Sequence, residues 1–203
     1  MSKYKWLLDA GHGGMFKGNY TTAPAKMCTF PDGLVIHEGV INRKITELLW
    51  RALEREGIDF ALVYNEELDT PLGERVQIAD RVYAKDKRCV YLSIHSNAGG
   101  GSGFEVFTSP GQTKSDKVAN IFCEQYKKHF LTSKLRSDYA DGDADKEADF
   151  YVLRKTDCPA VLVENLFFDN RKEAEYLLSS VGQEAIAACL FHAIKECEKN
   201  LEL

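Results

Sequence analysis

The chain has 203 residues, of which 44% are hydrophobic, so it is long enough to bury one substantial core. Its formal charge is −5 and it has no basic stripe interleaved with aromatic residues, which argues against nucleic acid as a partner. The apolar run near the N-terminus is too short for a signal-peptide core or a membrane span. We therefore expect one domain over residues 1–203, synthesised in the cytoplasm without a signal peptide, with no stable membrane insertion and no separate binding domain.

Apolar runs of strand length alternate along the chain with longer stretches of helical periodicity, a pattern typical of a parallel sheet covered by helices. We predict six strands, over residues 4–9, 58–64, 89–95, 104–108, 150–153 and 160–164. We predict helices over residues 41–53 with Gly57 as a left-handed C-cap, and over 72–85, 113–130 and 171–199, the last broken near Gly182. The predicted fold class is α/β, with a twisted, mostly parallel central sheet of about six strands and helices on both faces.

Two irregular stretches interrupt this alternation. Residues 15–36 contain prolines, glycines and threonines, and residues 133–148 are rich in aspartate, serine and lysine. Loops of this length in a compact domain are usually functional or mobile. Whether residues 133–148 form a lid is left open by the sequence.

Four metal-binding or ionisable residues stand at predicted strand ends or at the start of the first helix. His12 in "DAGHGG" follows the first strand, and Glu38 immediately precedes the first helix. His95 in "LSIHSNAGGG" closes the third strand, and Glu164 in "PAVLVENLFFDN" closes the last. Because ligands bind beyond the carboxyl ends of the strands in open α/β sheets, we expect these four side chains to meet at one edge.

This set of side chains suits a zinc hydrolase. Two histidines and one carboxylate can hold Zn²⁺ while leaving a fourth position for water. Zinc lowers the pKa of its bound water towards ~7, and a second carboxylate within reach can take the proton and pass it to a leaving group. The neighbouring glycines are expected to let the backbone turn sharply and to keep side chains clear of the substrate.

Each signal also has a plainer interpretation. A single "GHGG" or "IHSN" is more often a structural turn than a metal-binding motif, and Glu38 at a helix start is already favoured by the helix dipole. Glu164 is harder to dismiss, because an ionisable residue ending an apolar strand is costly to bury unless it is paired or functional. His37 points away from Glu38 if the segment is extended, and His129 and His192 on helices are expected to be solvated or core residues. The absence of GxSxG, GxGxxG and GxxxxGK[ST] argues against a serine-hydrolase elbow and the usual phosphate loops.

Taken together and in order, the motifs resemble a known family. "DAGHGG", "HEGVINRKI", "LSIHSNA" and "CPAVLVENLFFDN" are similar to the four motifs of the zinc-dependent N-acetylmuramoyl-L-alanine amidases of the amidase type 3 group, and "LGERVQIAD" is similar to one of that family's helices. The resemblance covers most of the chain. Leu166 stands where the family usually has glycine, and Asp80 stands where it usually has asparagine.

The resemblance implies a function and an assignment of residues. His12, Glu38 and His95 would be the ligands of a Zn²⁺ cofactor, and Glu164 would be the catalytic carboxylate. The substrate would be the amide between N-acetylmuramic acid and the L-alanine of the stem peptide, so the partner would be peptidoglycan and the site of action the cell wall. The long segment 15–36 is more similar to phage or prophage endolysins than to cell-division amidases. We expect a monomeric catalytic domain without a cell-wall-binding module.

Two alternatives stay open at this point. Another zinc peptidase or carboxypeptidase that cuts within the stem peptide would use the same metal and glutamate. A non-catalytic cell-wall-binding module would keep the fold without the reaction.

Overall fold

The computed structural model describes residues 2–140 and 142–203. In chain order its elements are β1 (Lys5–Ala10), β2 (Met15–Phe16), β3 (Asn19–Tyr20), β4 (Met27–Thr29), β5 (Val35–His37), α1 (Glu38–Glu56), β6 (Phe60–Leu62), α2 (Leu72–Lys85), β7 (Cys89–Asn97), β8 (Phe104–Thr108), α3 (Lys114–His129), β9 (Lys146–Glu147), α4 (Tyr151–Lys155), β10 (Ala160–Phe167), α5 (Arg171–Leu178) and α6 (Ser180–Asn200).

The main sheet has six strands in the order β6-β1-β7-β10-β8-β9. The first four of these strands run parallel to one another, β8 runs antiparallel to β10, and β9 runs parallel to β8. The carboxyl ends of β1, β7 and β10 therefore lie side by side at one edge of the sheet. The mostly parallel, six-stranded sheet predicted from the sequence is confirmed.

Helices cover both faces of this sheet. In β1, Trp6 and Leu8 join the core shared with α1, α3 and α6, whereas Leu7 between them joins a second core on the opposite face with α2 and α4. This alternation follows from the two-residue period of a strand. All three side chains are fully buried, which explains why the strand reads as a continuous apolar run.

The prediction of a strand over residues 150–153 is wrong. This stretch begins the short helix α4, in which the neighbouring residues Val152 and Leu153 are both buried in the second core. In a strand, those two side chains would point to opposite faces. A short apolar run does not separate the two possibilities by periodicity, and here packing against α2 selects the helix. The sixth strand of the sheet is instead β9, which lies within the irregular stretch 133–148.

The C-terminal helix is broken near Gly182, as the sequence predicts, and the break lies at Ser179. Ser179 separates α5 from α6, and its hydroxyl accepts a hydrogen bond from the Gly182 amide at 3.0 Å, which caps α6. In the part of the chain that the structure describes, no single helix is long and apolar enough to cross a membrane, and α5 and α6 meet that test only together, across an 82° bend.

Residues 15–36 form two small antiparallel hairpins, β2 with β3 and β4 with β5. The second hairpin leads directly into α1, because β5 ends at His37 and the helix begins at Glu38. Gly57 ends α1 with a φ of 67°, the left-handed C-cap that the sequence predicts. Residues 15–36 thus place the start of α1 at the carboxyl edge of the sheet.

Asp145, just before β9, should make the stability of the fold depend on pH. Its side chain is 3% exposed, and burial raises its pKa to about 7, with the neighbouring Asp143 adding to the shift and the hydrogen bond from Thr108 opposing it. The folded state therefore favours the protonated form of Asp145. The contribution of this carboxyl group to the stability of the fold is fully present below about pH 4 and is lost as the pH rises through about 7.

The substitution Asp145→Asn removes this titration. We expect it to raise the free energy of unfolding at pH 8 by about 1–3 kcal/mol, a few degrees in Tm, and to change it little at pH 4. Thermal unfolding at the two pH values measures this, with Asp138→Asn, at an exposed position of the same stretch, as the matched control. Equal Tm differences at both pH values would contradict the prediction.

Candidate metal centre and active site

The structure brings His12, Glu38 and His95 together at the carboxyl edge of the sheet. His12 lies two residues beyond β1, Glu38 is the first residue of α1, and His95 is in β7. One oxygen of Glu38, Oε1, lies 3.2 Å from His12 Nε2 and 3.0 Å from His95 Nδ1. One ligand atom from each of the three residues lies within 4.8 Å of the other two.

The unsatisfied atoms of this cluster fit a metal ion. His12 Nε2 and Glu38 Oε2 are buried and have no hydrogen-bond partner among the described residues. Such orphaned polar atoms are costly unless a cation or another group meets them. Two imidazoles and one carboxylate suit zinc and other divalent transition metals. The three residues can therefore hold a metal ion.

The charges of the cluster agree with this interpretation. Burial alone raises the pKa of Glu38, but its interactions with the rings of His12 and His95 outweigh burial and lower the pKa to about 2. Glu38 therefore remains a carboxylate. Burial lowers the pKa of His12 despite Glu38, whereas for His95 the hydrogen bond to Glu38 outweighs burial and the pKa is raised.

Glu164 lies beside the three candidate ligands. It is directly opposite His95 in the parallel pairing of β10 with β7. Both residues line a cavity of about 210 Å³, together with His12. Glu164 Oε2 is buried without a hydrogen-bond partner, and burial raises the pKa of this carboxyl to about 8, with His95 opposing the shift. A carboxyl group that titrates near neutral pH is suited to accept and release a proton.

The backbone around His12 is shaped to admit His95. His12 has a φ of 63°, the left-handed region that ordinary residues avoid, and such strain is typical of functional sites. A Cβ atom on Gly11 would lie 2.1 Å from the ring of His95. The sequence predicts glycines that keep side chains clear of the substrate, whereas Gly11 is required for the close approach of a second candidate ligand. The two histidine rings meet edge to face, with centroids 4.9 Å apart.

Asn42, which sequence reasoning missed, helps to orient Glu38. Its side-chain amide donates to Glu38 Oε1 at 3.4 Å and to the Gly11 carbonyl at 3.3 Å. The hydroxyl of Ser96 donates to Asn42 Oδ1 at 3.3 Å, and the Ser96 amide donates to Glu38 Oε1 at 3.3 Å. The position of Asn42 one helical turn after Glu38 is the only signal for this role in the sequence.

A second missed feature is a buried ion pair beneath the site. Arg75 of α2 pairs with Asp9 of β1, and these side chains are 2% and 1% exposed. The other Asp9 oxygen accepts hydrogen bonds from the Tyr91 hydroxyl at 2.7 Å and the Ser93 hydroxyl at 2.8 Å. Arg75 also donates to the backbone carbonyl of His12 at 2.9 Å. The ion pair thus fixes the loop that carries a candidate ligand.

The remaining histidines lie outside the cluster. His37 packs its ring against Tyr20, with centroids 4.6 Å apart. His129 and His192 are exposed on α3 and α6, where His129 Nε2 lies 2.8 Å from His192 Nδ1. The sequence did not predict that these two would meet. Leu166, at the position where a glycine was expected, has a φ of 63°, which explains why glycine suits that position.

Comparison with known proteins identifies the family. The sequence model described as N-acetylmuramoyl-L-alanine amidase matches residues 7–196. The chain belongs to this family. The resemblance inferred from the motifs is therefore confirmed.

Individual members of the family differ in length from this chain. The chain is 31% identical over 185 residues to N-acetylmuramoyl-L-alanine amidase CwlM of Bacillus licheniformis, which covers 90% of this chain and 64% of the relative. It is 34% identical over 179 residues to the endolysin of Bacillus phage SPP1, covering 87% of this chain and 59% of the endolysin. The chain thus spans about three fifths of the length of these curated relatives.

Solved amidase structures share the fold. N-acetylmuramoyl-L-alanine amidase AmiC2 of Nostoc punctiforme superposes with a TM-score of 0.75 at 25% identity, covering 96% of each chain. The amidase Ami1 of Mycobacterium smegmatis gives a TM-score of 0.77 at 20% identity, covering 97% of each chain. The α/β architecture is therefore that of the family.

Loss of the buried ion pair between Asp9 and Arg75 should destabilise the protein far more than loss of an exposed ion pair. Arg75→Ala leaves the Asp9 carboxylate buried without its partner, which costs about 3–5 kcal/mol. Tyr91→Phe, which removes one donor to Asp9, should cost about 1–2 kcal/mol. Urea unfolding of the metal-free protein measures both.

The matched control is Arg51→Ala, which breaks the exposed Arg51–Glu47 pair of α1. It should change the unfolding free energy by less than about 0.5 kcal/mol. An Arg75→Ala protein as stable as Arg51→Ala would contradict the structural role given to the buried pair.

Proposed function

We propose that this chain is a zinc-dependent amidase that hydrolyses the bond between N-acetylmuramic acid and the L-alanine of the stem peptide in peptidoglycan. The observation that carries this proposal is the convergence of His12, Glu38, His95 and Glu164 at one edge of the sheet in a member of the amidase family. Among the described residues, His12, Glu38 and Glu164 each have a buried side-chain atom without a hydrogen-bond partner.

In this proposal His12, Glu38 and His95 hold Zn²⁺ and Glu164 handles the proton. When bound, zinc lowers the pKa of water and polarises the scissile carbonyl. Glu164 takes a proton from the attacking water as the new C–O bond forms, and it gives that proton to the alanine nitrogen as the C–N bond breaks. The products are the lactyl carboxylate of the muramic acid and a free L-alanine amine.

The cavity beside Glu164 supports binding of a partly apolar substrate. Its wall includes Leu72, Phe150 and Tyr151, which are 54%, 37% and 40% exposed. Exposed apolar side chains around a polar centre are typical of ligand sites. All four site residues belong to one chain, so we propose that the domain works as a monomer on the cell wall, in the manner of an endolysin.

Product identity tests the bond assignment. Purified peptidoglycan is digested with the zinc-loaded protein, with Glu164→Gln and with a chelated sample, and the products are analysed by mass spectrometry. We expect free stem peptides with an N-terminal L-alanine only in the wild-type digest. Shortened stems still attached to muramic acid would indicate a peptidase or carboxypeptidase, and binding to sacculi without any release would indicate a binding module.

The metal content of purified variants tests the residue roles separately. Glu164→Gln should keep zinc and lose activity by about 10²–10⁴-fold, because it removes general acid–base catalysis. His12→Ala and His95→Ala should lose the metal itself. His129→Ala, a histidine outside the cluster, is the matched control and should keep both. Retention of one zinc by His12→Ala and His95→Ala would contradict the ligand assignment.

A further inference from the structure

Lys26, in the long irregular stretch before α1, reaches the candidate metal centre. Its ammonium nitrogen Nζ lies 4.0 Å from Glu38 Oε2. The side chain lines the same cavity as His12, His95 and Glu164. Nothing in the proposed roles of those four residues uses this positive charge.

The backbone holds Lys26 in this place. Its φ is 58°, in the left-handed region that lysine seldom adopts. Its carbonyl oxygen accepts hydrogen bonds from the Glu38 amide at 3.0 Å and from the Tyr20 hydroxyl at 3.1 Å. The same Tyr20 hydroxyl accepts a hydrogen bond from the Gly39 amide at 3.0 Å. Lys26 is therefore tied to the turn of α1 that supplies Glu38.

Lys26 is the cation of the cavity whose N–H groups are free to donate hydrogen bonds to a substrate. The other cation along the described part of the wall, Arg75, is already used by Asp9 and by backbone carbonyls. Lys26 Nζ has no hydrogen-bond acceptor within the described residues, and 4.0 Å is too long for a hydrogen bond to Glu38. The side chain is 48% exposed, so a substrate can reach its three N–H donors.

We propose that Lys26 is a further catalytic residue, which binds the oxygen of the scissile carbonyl and then the carboxylate product. The assignment rests on the proposed amidase function. As the water oxygen bonds to the carbonyl carbon, the π electron pair moves onto the carbonyl oxygen, and the Lys26 ammonium donates a hydrogen bond to that oxygen without giving up its proton. When the C–N bond breaks, the pair re-forms the carbonyl π bond, and the hydroxyl that came from the water gives its remaining proton to Glu164. The resulting carboxylate stays hydrogen-bonded to Lys26.

Simple charge balance with Glu38 does not account for this geometry. A counter-ion of a buried carboxylate is expected in hydrogen-bond contact with it. The two histidine rings lie closer to Glu38, at 3.2 Å for His12 and 3.0 Å for His95, whereas Lys26 lies at 4.0 Å. A donor whose backbone is held beside the candidate metal centre and whose N–H groups are free is suited to stabilise an oxyanion there.

The test compares Lys26→Met with Lys17→Met. Lys17 is a second lysine of the same stretch with a left-handed backbone, at a φ of 49°, but it is exposed and its Nζ lies over the ring of Phe16. We expect Lys26→Met to lower kcat by about 10²-fold with little change in KM, because an oxyanion donor acts in the transition state. Lys17→Met should match the wild type.

A second readout does not need turnover. Titration of the zinc-loaded proteins with N-acetylmuramic acid, which carries the product carboxylate, should show affinity about tenfold weaker for Lys26→Met, and Lys26→Arg should recover most of the loss. Zinc affinity of Lys26→Met should be unchanged or tighter, since a cation near Glu38 has been removed.

Equal kcat and equal carboxylate affinity for Lys26→Met and Lys17→Met would overturn the assignment, and so would loss of zinc from Lys26→Met, because Lys26 would then act by supporting the metal site. If the wild type releases no stem peptide but binds N-acetylmuramic acid in a Lys26-dependent manner, the proposed amidase function fails and the carboxylate-binding role of Lys26 is supported.

Discussion

The buried ion pair between Asp9 and Arg75 is the constraint on which the candidate site depends. It joins β1 to α2, and the hydroxyls of Tyr91 and Ser93 extend it to β7. An ion pair this deeply buried is tolerated only when its remaining hydrogen-bonding groups are also satisfied. Arg75 meets that requirement by donating to the backbone carbonyls of Ala10, at the end of β1, and of His12. The interaction that satisfies the buried charge is thus the one that fixes the loop of the first candidate ligand.

Much of the architecture and the four central side chains could be predicted from the sequence, for a physical reason. Parallel strands place their carboxyl ends at one edge, so residues at strand ends meet whatever their separation along the chain. This argument placed His12, His95 and Glu164 together without knowledge of side-chain contacts. It failed for residues 150–153, because a four-residue apolar run carries no periodicity that separates a strand from one turn of helix.

The residues that the sequence did not reveal act through tertiary contacts. Arg75 reads as an ordinary polar residue of an amphipathic helix, and only its burial against Asp9 shows its role. Lys26 reads as part of a polar loop, and its approach to Glu38 depends on how two small hairpins turn back onto α1. His129 and His192 are 63 residues apart on different helices, so no spacing rule predicts that their ring nitrogens meet. In each case the missing information was the path of the chain, not the chemistry of the residue.

The central claim is that residues from β7, from α1 and from the loop after β1 form a single zinc site with Glu164 beside it. The most direct measurement is a crystal structure of the zinc-loaded protein with anomalous diffraction data collected at the zinc absorption edge. The account predicts an anomalous peak from one zinc ion within bonding distance of His12 Nε2, a carboxylate oxygen of Glu38 and His95 Nδ1, with the Glu164 carboxyl close by. A strongest peak at the exposed pair of His129 and His192, with none between His12, Glu38 and His95, would contradict it.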